Sequence, residues 1–245
     1  MTAPMIDVVD LTIGWGEKRL LESASFRVER GDVFAVLGGS GTGKSTLLRF
    51  LTGLERPLAG SIHIDGLGAP KLAEGRPPFG VMFQHGALFG SMNVVDNVAL
   101  PLREWTQLPP EVSHSMALAK LRLVGLEGAA EKLPSELSGG MKKRAAIARA
   151  MVLEPELLFL DEPSAGLDPV TSAELDELIL TLKRVIGLTV VVVTHELPSI
   201  FAIADRCIML DKETRSIIAH GRPSELRDSA DQRVYKFFNR TTEAA

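Results

Sequence analysis

One cysteine, Cys207, stands among 245 residues, so no internal disulfide can form and the fold does not lean on an oxidising compartment. Its neighbours in CIML predict a buried strand thiol rather than a reactive one, and a reducing cytoplasm fits. Long apolar runs are equally scarce. Hydrophobic residues make up 45% of the chain but fall in short pieces such as residues 189–193, well below the ~18 apolar residues of a membrane helix. The chain itself is therefore not expected to span a bilayer. Its first ten residues carry Asp7 and Asp10 where a secretory leader has basic residues and then an unbroken apolar stretch, so export is not expected either. A basic excess is missing too: 27 Lys and Arg stand against 31 Asp and Glu, mixed along the chain, for a net charge of -4. That balance offers no broad electropositive face and argues against a nucleic-acid partner. The 5 histidines show no metal-ligand spacing. No internal repeat or low-complexity linker is visible, and 245 residues leave room for one large domain rather than two catalytic units.

What is present reads as α/β. Apolar runs at residues 33–37 (VFAVL), 157–160 (LLFL) and 189–193 (TVVVV) have the pattern of strands covered on both faces, which predicts a parallel core sheet flanked by helices. Ahead of Val33, residues 6–9, 20–21 and 25–28 read as shorter strands separated by turns, an antiparallel subdomain beside the main sheet. From about residue 93 to 155 the β-branched runs vanish and helical stretches lie between Pro101, Pro109, Pro134 and Pro155, as in an inserted helical subdomain. Beyond Gly166, the residues Leu175, Leu178, Ile179, Leu182, Val185 and Ile186 fall on one helix face and predict core packing up to Gly187. Residues 222–245 form a C-terminal extension of this single 1–245 domain. Within it Val234, Phe237 and Phe238 recur at helical spacing and could dock on the same chain or on a second copy, and residues 241–245 are expected to fray.

The motif GGSGTGKS, Gly38 to Ser45, directly follows the first core strand and opens a helical stretch. Strand, loop and helix together are the context a phosphate-binding loop requires. Small residues at Gly38, Gly39, Ser40, Gly41, Thr42 and Gly43 let backbone amides as far as Thr46 surround phosphate oxygens, and the helix dipole adds partial positive charge. Lys44 is placed to reach the β- and γ-phosphates and Ser45 to offer a hydroxyl to Mg2+. Asp161 and Glu162 follow LLFL, which puts two carboxylates at the carboxyl end of a strand, where open α/β sheets bind ligands. Asp161 suits Mg2+ and Glu162 suits the water that attacks a γ-phosphate, with a helix cap or solvated turn as the plainer alternative. Gln84 and His195 end apolar stretches and are expected at the same sheet edge, where each could sense the γ-phosphate. A second glycine-rich helix start, LSGGM at residues 137–141, has no second phosphate loop to serve. Ser138 is a plausible N-cap beside the amides of Gly139 and Gly140, a second anion receptor. In the helix that follows, Met141, Ala145, Ala148 and Val152 read as the buried stripe, and Lys142, Lys143, Arg144 and Arg149 as a solvated face.

In order and spacing, GGSGTGKS, Gln84, LSGGM, LLFLDEP, SAGLD (residues 164–168) and His195 resemble the ATP-binding cassette ATPases over about residues 6–221. The resemblance implies a phosphate-loop NTPase fold and two copies facing head to tail, with each ATP shared by one copy's phosphate loop and the other's Ser138, Gly139 and Gly140. It also implies roles. Ser45, Gln84 and Asp161 stand on the metal side, Glu162 is the hydrolytic base, Gln84 the lid residue, His195 the switch, and Asp168 a link between the two sites. Trp15 takes the place of the aromatic that stacks on adenine, where Tyr is usual. Residues 83–104, PSELSGGMKKRAAIARA and IADRCIML are similar to the ATPase subunits of Mla/Mce-type phospholipid transporters, and Met141 departs from the usual glutamine in agreement with that subgroup. The closer resemblance implies a peripheral subunit on the cytoplasmic face of an inner membrane. It would drive a permease that moves phospholipid between inner and outer membranes and sustains outer-membrane lipid asymmetry, alongside lipid-binding and regulatory subunits. Residues 87–92 (ALFGSM) lie where relatives receive a coupling helix, or are buried within the helical subdomain. An importer ATPase for another small solute shares every catalytic motif. A soluble cassette ATPase would bring a second cassette or a basic surface, and a phosphate-loop kinase would leave LSGGM without a task.

Overall fold

The computed structural model of the chain describes residues 3–70, 76 and 78–241, so the expectation of a frayed tail beyond Thr241 lies outside the described residues. In chain order the elements are β1 (Ile6–Trp15), β2 (Lys18–Val28), β3 (Val33–Gly38), α1 (Lys44–Leu51), β4 (Ala59–Ile64), β5 (Gly80–Met82), α2 (Val94–Trp105), α3 (Pro110–Leu123), α4 (Gly139–Met151), β6 (Leu157–Asp161), α5 (Pro169–Ile186), β7 (Thr189–Val193), α6 (Leu197–Ile203), β8 (Arg206–Asp211), β9 (Ser216–Gly221), α7 (Pro223–Leu226) and α8 (Gln232–Asn239). The chain forms two compact units. One holds residues up to 74 and from 189 onward, the other residues 75–188. Among the described residues, no helix is long and apolar enough to cross a membrane.

In the first unit, β3 is buried along its whole length and pairs in parallel with β7, Val36 opposite Val193, and with β8, Val36 opposite Ile208. A strand hydrogen-bonded on both edges and covered on both faces has no polar side to show, hence the unbroken VFAVL run. β9 adds to β8 in the antiparallel sense. The separate antiparallel sheet has the order β2-β1-β4. Here the sequence expectation of short strands with turns is corrected. β1 and β2 are long strands of 10 and 11 residues, and the polar interruptions are bulges: Asp10 and Ser23 take left-handed φ angles of 48° and 49° at the register shifts. A bulge keeps the ladder running while absorbing a residue that breaks the alternation. β4 went unforeseen because only Ile62 and Ile64 of AGSIHI are buried, too short a period-2 signal to stand out.

Cys207, buried in β8, has its thiol pushed up to about 12 because burial disfavours the thiolate. Native protein should therefore resist alkylation at pH 8, and denatured protein should react at once, by mass shift. The folded value is raised above the ordinary 9.0, so this contribution to stability is intact below about pH 9 and is lost as the pH climbs toward 12. In the C-terminal extension, Asp231 caps α8, and Val234 and Phe238 are buried. The Phe238 ring meets Phe201 of α6 edge-on at 5.8 Å. The extension thus docks on its own chain.

In the second unit, β5 pairs in parallel with β6, Met82 opposite Leu160, α4 packs on β5, and α2, α3 and α5 pack on α4. At Gly80 an added Cβ would lie 2.2 Å from the carbonyl oxygen of Ala150, so β5 approaches α4 as closely as backbone allows. The apolar stripe of α5 is shorter than the periodicity predicts. Val185 and Ile186 are 65% and 51% exposed, because the last turn runs past the core that Leu175, Ile179 and Leu182 fill.

Candidate functional site

The first unit carries the phosphate loop. β3 ends on Gly38, where an added Cβ would sit 2.7 Å from Thr42 Oγ1 and 2.8 Å from the Leu210 carbonyl, so only glycine lets the chain turn there. Gly41 and Gly43 follow at φ 74° and 94°, a left-handed path that makes a concave nest of main-chain N–H groups ahead of α1. Thr42 Oγ1 donates to the Gly39 carbonyl at 3.0 Å and stiffens the turn. The Lys44 ammonium donates to the carbonyls of Gly38 at 2.9 Å and Gly39 at 3.0 Å, which holds it across the loop. Ser40 and Ser45 are exposed, and Thr46 is half-buried in the first turn of α1. His195 is exposed just past β7, at the same end of adjacent parallel strands as Gly38. Trp15, at the end of β1, is 48% exposed.

The second unit carries the acidic pair, the segment after β5 that begins at Gln84, and the LSGG turn. Asp161 closes β6 and Glu162 follows, each only 7% exposed, which rules out the solvated-turn alternative for this pair. Glu162 has φ 48°, a conformation costing a non-glycine residue roughly 1–2 kcal/mol. Residues left in that region are held there by their surroundings. β5 lies beside β6, so Gln84 leaves the same end of the pair as Asp161, and Gln84 is exposed. Ser138 is the N-cap of α4, its Oγ accepting from the Met141 N–H at 3.3 Å, with Gly139 exposed beside it. Gly140 is tightly constrained: an added Cβ would fall 2.4 Å from Thr171 Cγ2. Thr171 Oγ1 in turn donates to Asp168 Oδ2 at 2.6 Å, while Asp168 Oδ1 accepts from the Val170 and Thr171 N–H groups at 3.1 Å. The Thr171 hydroxyl, then the backbone N–H groups, hold the Asp168 carboxyl below the usual carboxylate range.

The expected solvated face of α4 is corrected. Lys143 is 8% exposed, and its ammonium donates to the main-chain carbonyls of Gln84 and, at 3.0 Å, Glu162. Arg149 donates to the carbonyls of Gly86 at 2.7 Å and Ala87 at 2.8 Å. Met141, expected in the buried stripe, is half-buried, whereas Ala146 and Ile147 are buried beside Ala145 and Ala148. The helix is enclosed on most sides, and its long cations reach through to chain that packs on it. Asn97 belongs to none of the sequence motifs. It is fully buried in α2, its Oδ1 accepts from the Phe89 N–H at 2.7 Å, and its Nδ2 donates to the carbonyls of Phe89, Met92 and Asn93 at 3.0 Å each. One amide thereby fixes residues 89–93 and leaves Phe89 52% exposed. A single Asn in a helical stretch gives no sequence signal of such a task.

A glycine nest opening a helix, a buried acidic pair at a strand end and a serine-capped Gly-Gly helix start define a nucleotide triphosphatase of the cassette type. The chain belongs to the ABC transporter family, whose model matches residues 21–165. It is 44% identical over 243 residues to the intermembrane phospholipid transport system ATP-binding protein MlaF of Escherichia coli (strain K12), spanning 97% of this chain and 89% of that protein. It is 43% identical over 238 residues to the probable ribonucleotide transport ATP-binding protein mkl of Mycobacterium leprae (strain TN), spanning 95% of this chain and 68% of that one. Among solved structures, the dimeric post-hydrolysis state of the ATP-binding cassette MJ0796 bound to ADP and Pi superposes with a TM-score of 0.77 at 28% identity, covering 89% of this chain and 98% of that one. As a member of this family the chain is an ATPase that uses ATP with Mg2+. Its residues fit those groups: the nest and Lys44 suit phosphates, and the Ser45 hydroxyl and Asp161 carboxylate are hard oxygen donors suited to Mg2+.

Proposed function

We propose that this chain is the ATP-hydrolysing subunit of a membrane complex that moves phospholipid between the inner and outer membranes of a two-membrane envelope. The observation that carries this reading is the similarity to MlaF, with 97% of the chain and 89% of that protein aligned at 44% identity. Two copies work as a homodimer beneath a permease on the cytoplasmic face of the inner membrane, with lipid-binding and regulatory subunits in the same complex. Lipid does not touch this subunit. The exposed rings of Phe83 and Phe89, 41% and 52% exposed, support docking of the permease beside the lid segment. Similarity to mkl favours one second reading, transport of another small solute, since its identity is nearly as high.

Within the site, Lys44 and the loop amides of residues 38–46 hold the phosphates, and Trp15 stacks on the base. Ser45 and Asp161 would hold Mg2+, and Gln84 would be the lid residue. Bound Mg2+ would neutralise charge on the phosphates. Glu162 takes the proton of the attacking water, and His195 contacts the γ-phosphate. Ser138, Gly139 and Gly140 complete the site on the opposite copy, and Asp168 links one site to the other. ATP favours the closed pair by binding it better than the open one, and hydrolysis removes that preference. Lys44→Ala removes a charge-assisted contact worth roughly 1.5–3 kcal/mol, so ATP affinity should fall about 10- to 100-fold in a fluorescent-nucleotide titration. The transport reading is tested by purifying the complex from native membranes and identifying what accompanies the chain. A permease with bound phospholipid is expected, and a permease with a soluble-solute receptor and no lipid would contradict it.

A further inference from the structure

The cations of α4 follow the LSGGM turn and carry no catalytic role in the proposed site. Lys143 lies five residues beyond Ser138 on one continuous helix, roughly 7.5 Å along its axis. Its side chain is buried, a placement that destabilises an ammonium unless it is well hydrogen-bonded. Two of its acceptors are main-chain carbonyls at sensitive points. One belongs to Gln84, the lid residue. The other belongs to Glu162, whose left-handed backbone needs an external hold and whose carbonyl also accepts from the Ala165 N–H at 3.2 Å. Farther along the helix, Arg149 grips the next part of the lid segment, including Ala87 at φ 50°. Thus one helix begins with the serine-capped Gly-Gly turn and holds the backbone of both the lid and the acidic pair.

We propose that Lys143 is a positioning residue for hydrolysis, fixing the main chain of Gln84 and Glu162 to the helix that carries Ser138, Gly139 and Gly140. The inference rests on Glu162 being the base. Engagement of the Gly-Gly turn by nucleotide would then be felt as a shift of one rigid element under the lid and the base together. In this proposal Lys143 acts through the main chain it holds rather than on the nucleotide. Its removal should spoil the aim of Glu162 without weakening nucleotide binding, and misplacement on the ångström scale is enough to cost about 10²-fold in rate.

In the intact complex with its permease, Lys143→Met is expected to lower kcat about 10- to 100-fold with KM for ATP within about twofold, and Lys143→Arg to recover most of the loss. Should Lys143→Met not fold, as judged by its thermal midpoint, Lys143→Gln is read in the same way. Combined with Glu162→Gln, Lys143→Met should cause much less than its own loss, because most of its effect passes through the carboxylate. Wild-type kcat in Lys143→Met, or losses that multiply in the double variant, would overturn the proposal. Failure of the base assignment looks different: Glu162→Gln alone would keep its turnover.

Discussion

Glu162→Gln should lower ATP turnover by about 10²- to 10⁴-fold and leave MgATP affinity within a few-fold of wild type. The amide matches the carboxylate in shape but cannot take a proton. Glu162 is 7% exposed and sits on a backbone held at φ 48°, so the substituted side chain has little freedom to leave its place. In the proposed site binding rests elsewhere, on the phosphate loop and Lys44, whose ammonium is already held across the loop carbonyls. Phosphate release and nucleotide titration on the same preparation check both halves. Undiminished phosphate release would remove Glu162 from the chemistry.

Gly140→Val should be nearly as damaging, with turnover down about 10²-fold or more while each chain still binds ATP. A mere Cβ at this position falls 2.4 Å from Thr171 Cγ2, and Thr171 has no free rotamer to retreat into without giving up its 2.6 Å bond to Asp168. The start of α4 must therefore move from the start of α5, or the Asp168 cap must break, a loss of about 1 kcal/mol for a typical N-cap. Either outcome displaces the Ser138 to Gly140 turn. A thermal midpoint lowered by only a few degrees, set against a large loss of turnover, would separate misplacement from unfolding. Wild-type turnover would show that this turn does not serve the nucleotide.

The two most legible features were those whose physics is local. A phosphate loop needs glycines at fixed steps because the backbone must curl left-handed, so Gly41 and Gly43 announce it in one dimension. A strand buried on both faces must be apolar throughout, so β3, β6 and β7 were plain. Features that depend on a distant partner were not. Lys143 and Arg149 look like any solvated helix face until the chain around residues 84–87 and Glu162 is laid against them. Asn97 is an unremarked amide until residues 89–93 fold over it. β4 and the bulged β2 were obscured because half-exposed strands tolerate polar residues at the positions that would otherwise mark their ends. The Val185 and Ile186 pair shows the converse error, since periodicity continues past the point where the core stops.

The central claim is that each ATP is completed by residues of two chains, and mixing two inactive variants tests it most directly. At ATP well below the weakened Kd of Lys44→Ala that variant's phosphate loop stays empty, and Gly140→Val spoils the opposing turn, so either homodimer lacks both working sites. A mixed dimer regains one whole site, formed by the intact loop of one chain and the intact turn of the other. Co-assembling the two variants in equal amounts with the permease should raise ATP turnover from near zero toward about a quarter of wild type, since half the dimers are mixed and each has one working site. Turnover that stays at the level of the separate variants would mean that one chain alone builds its site.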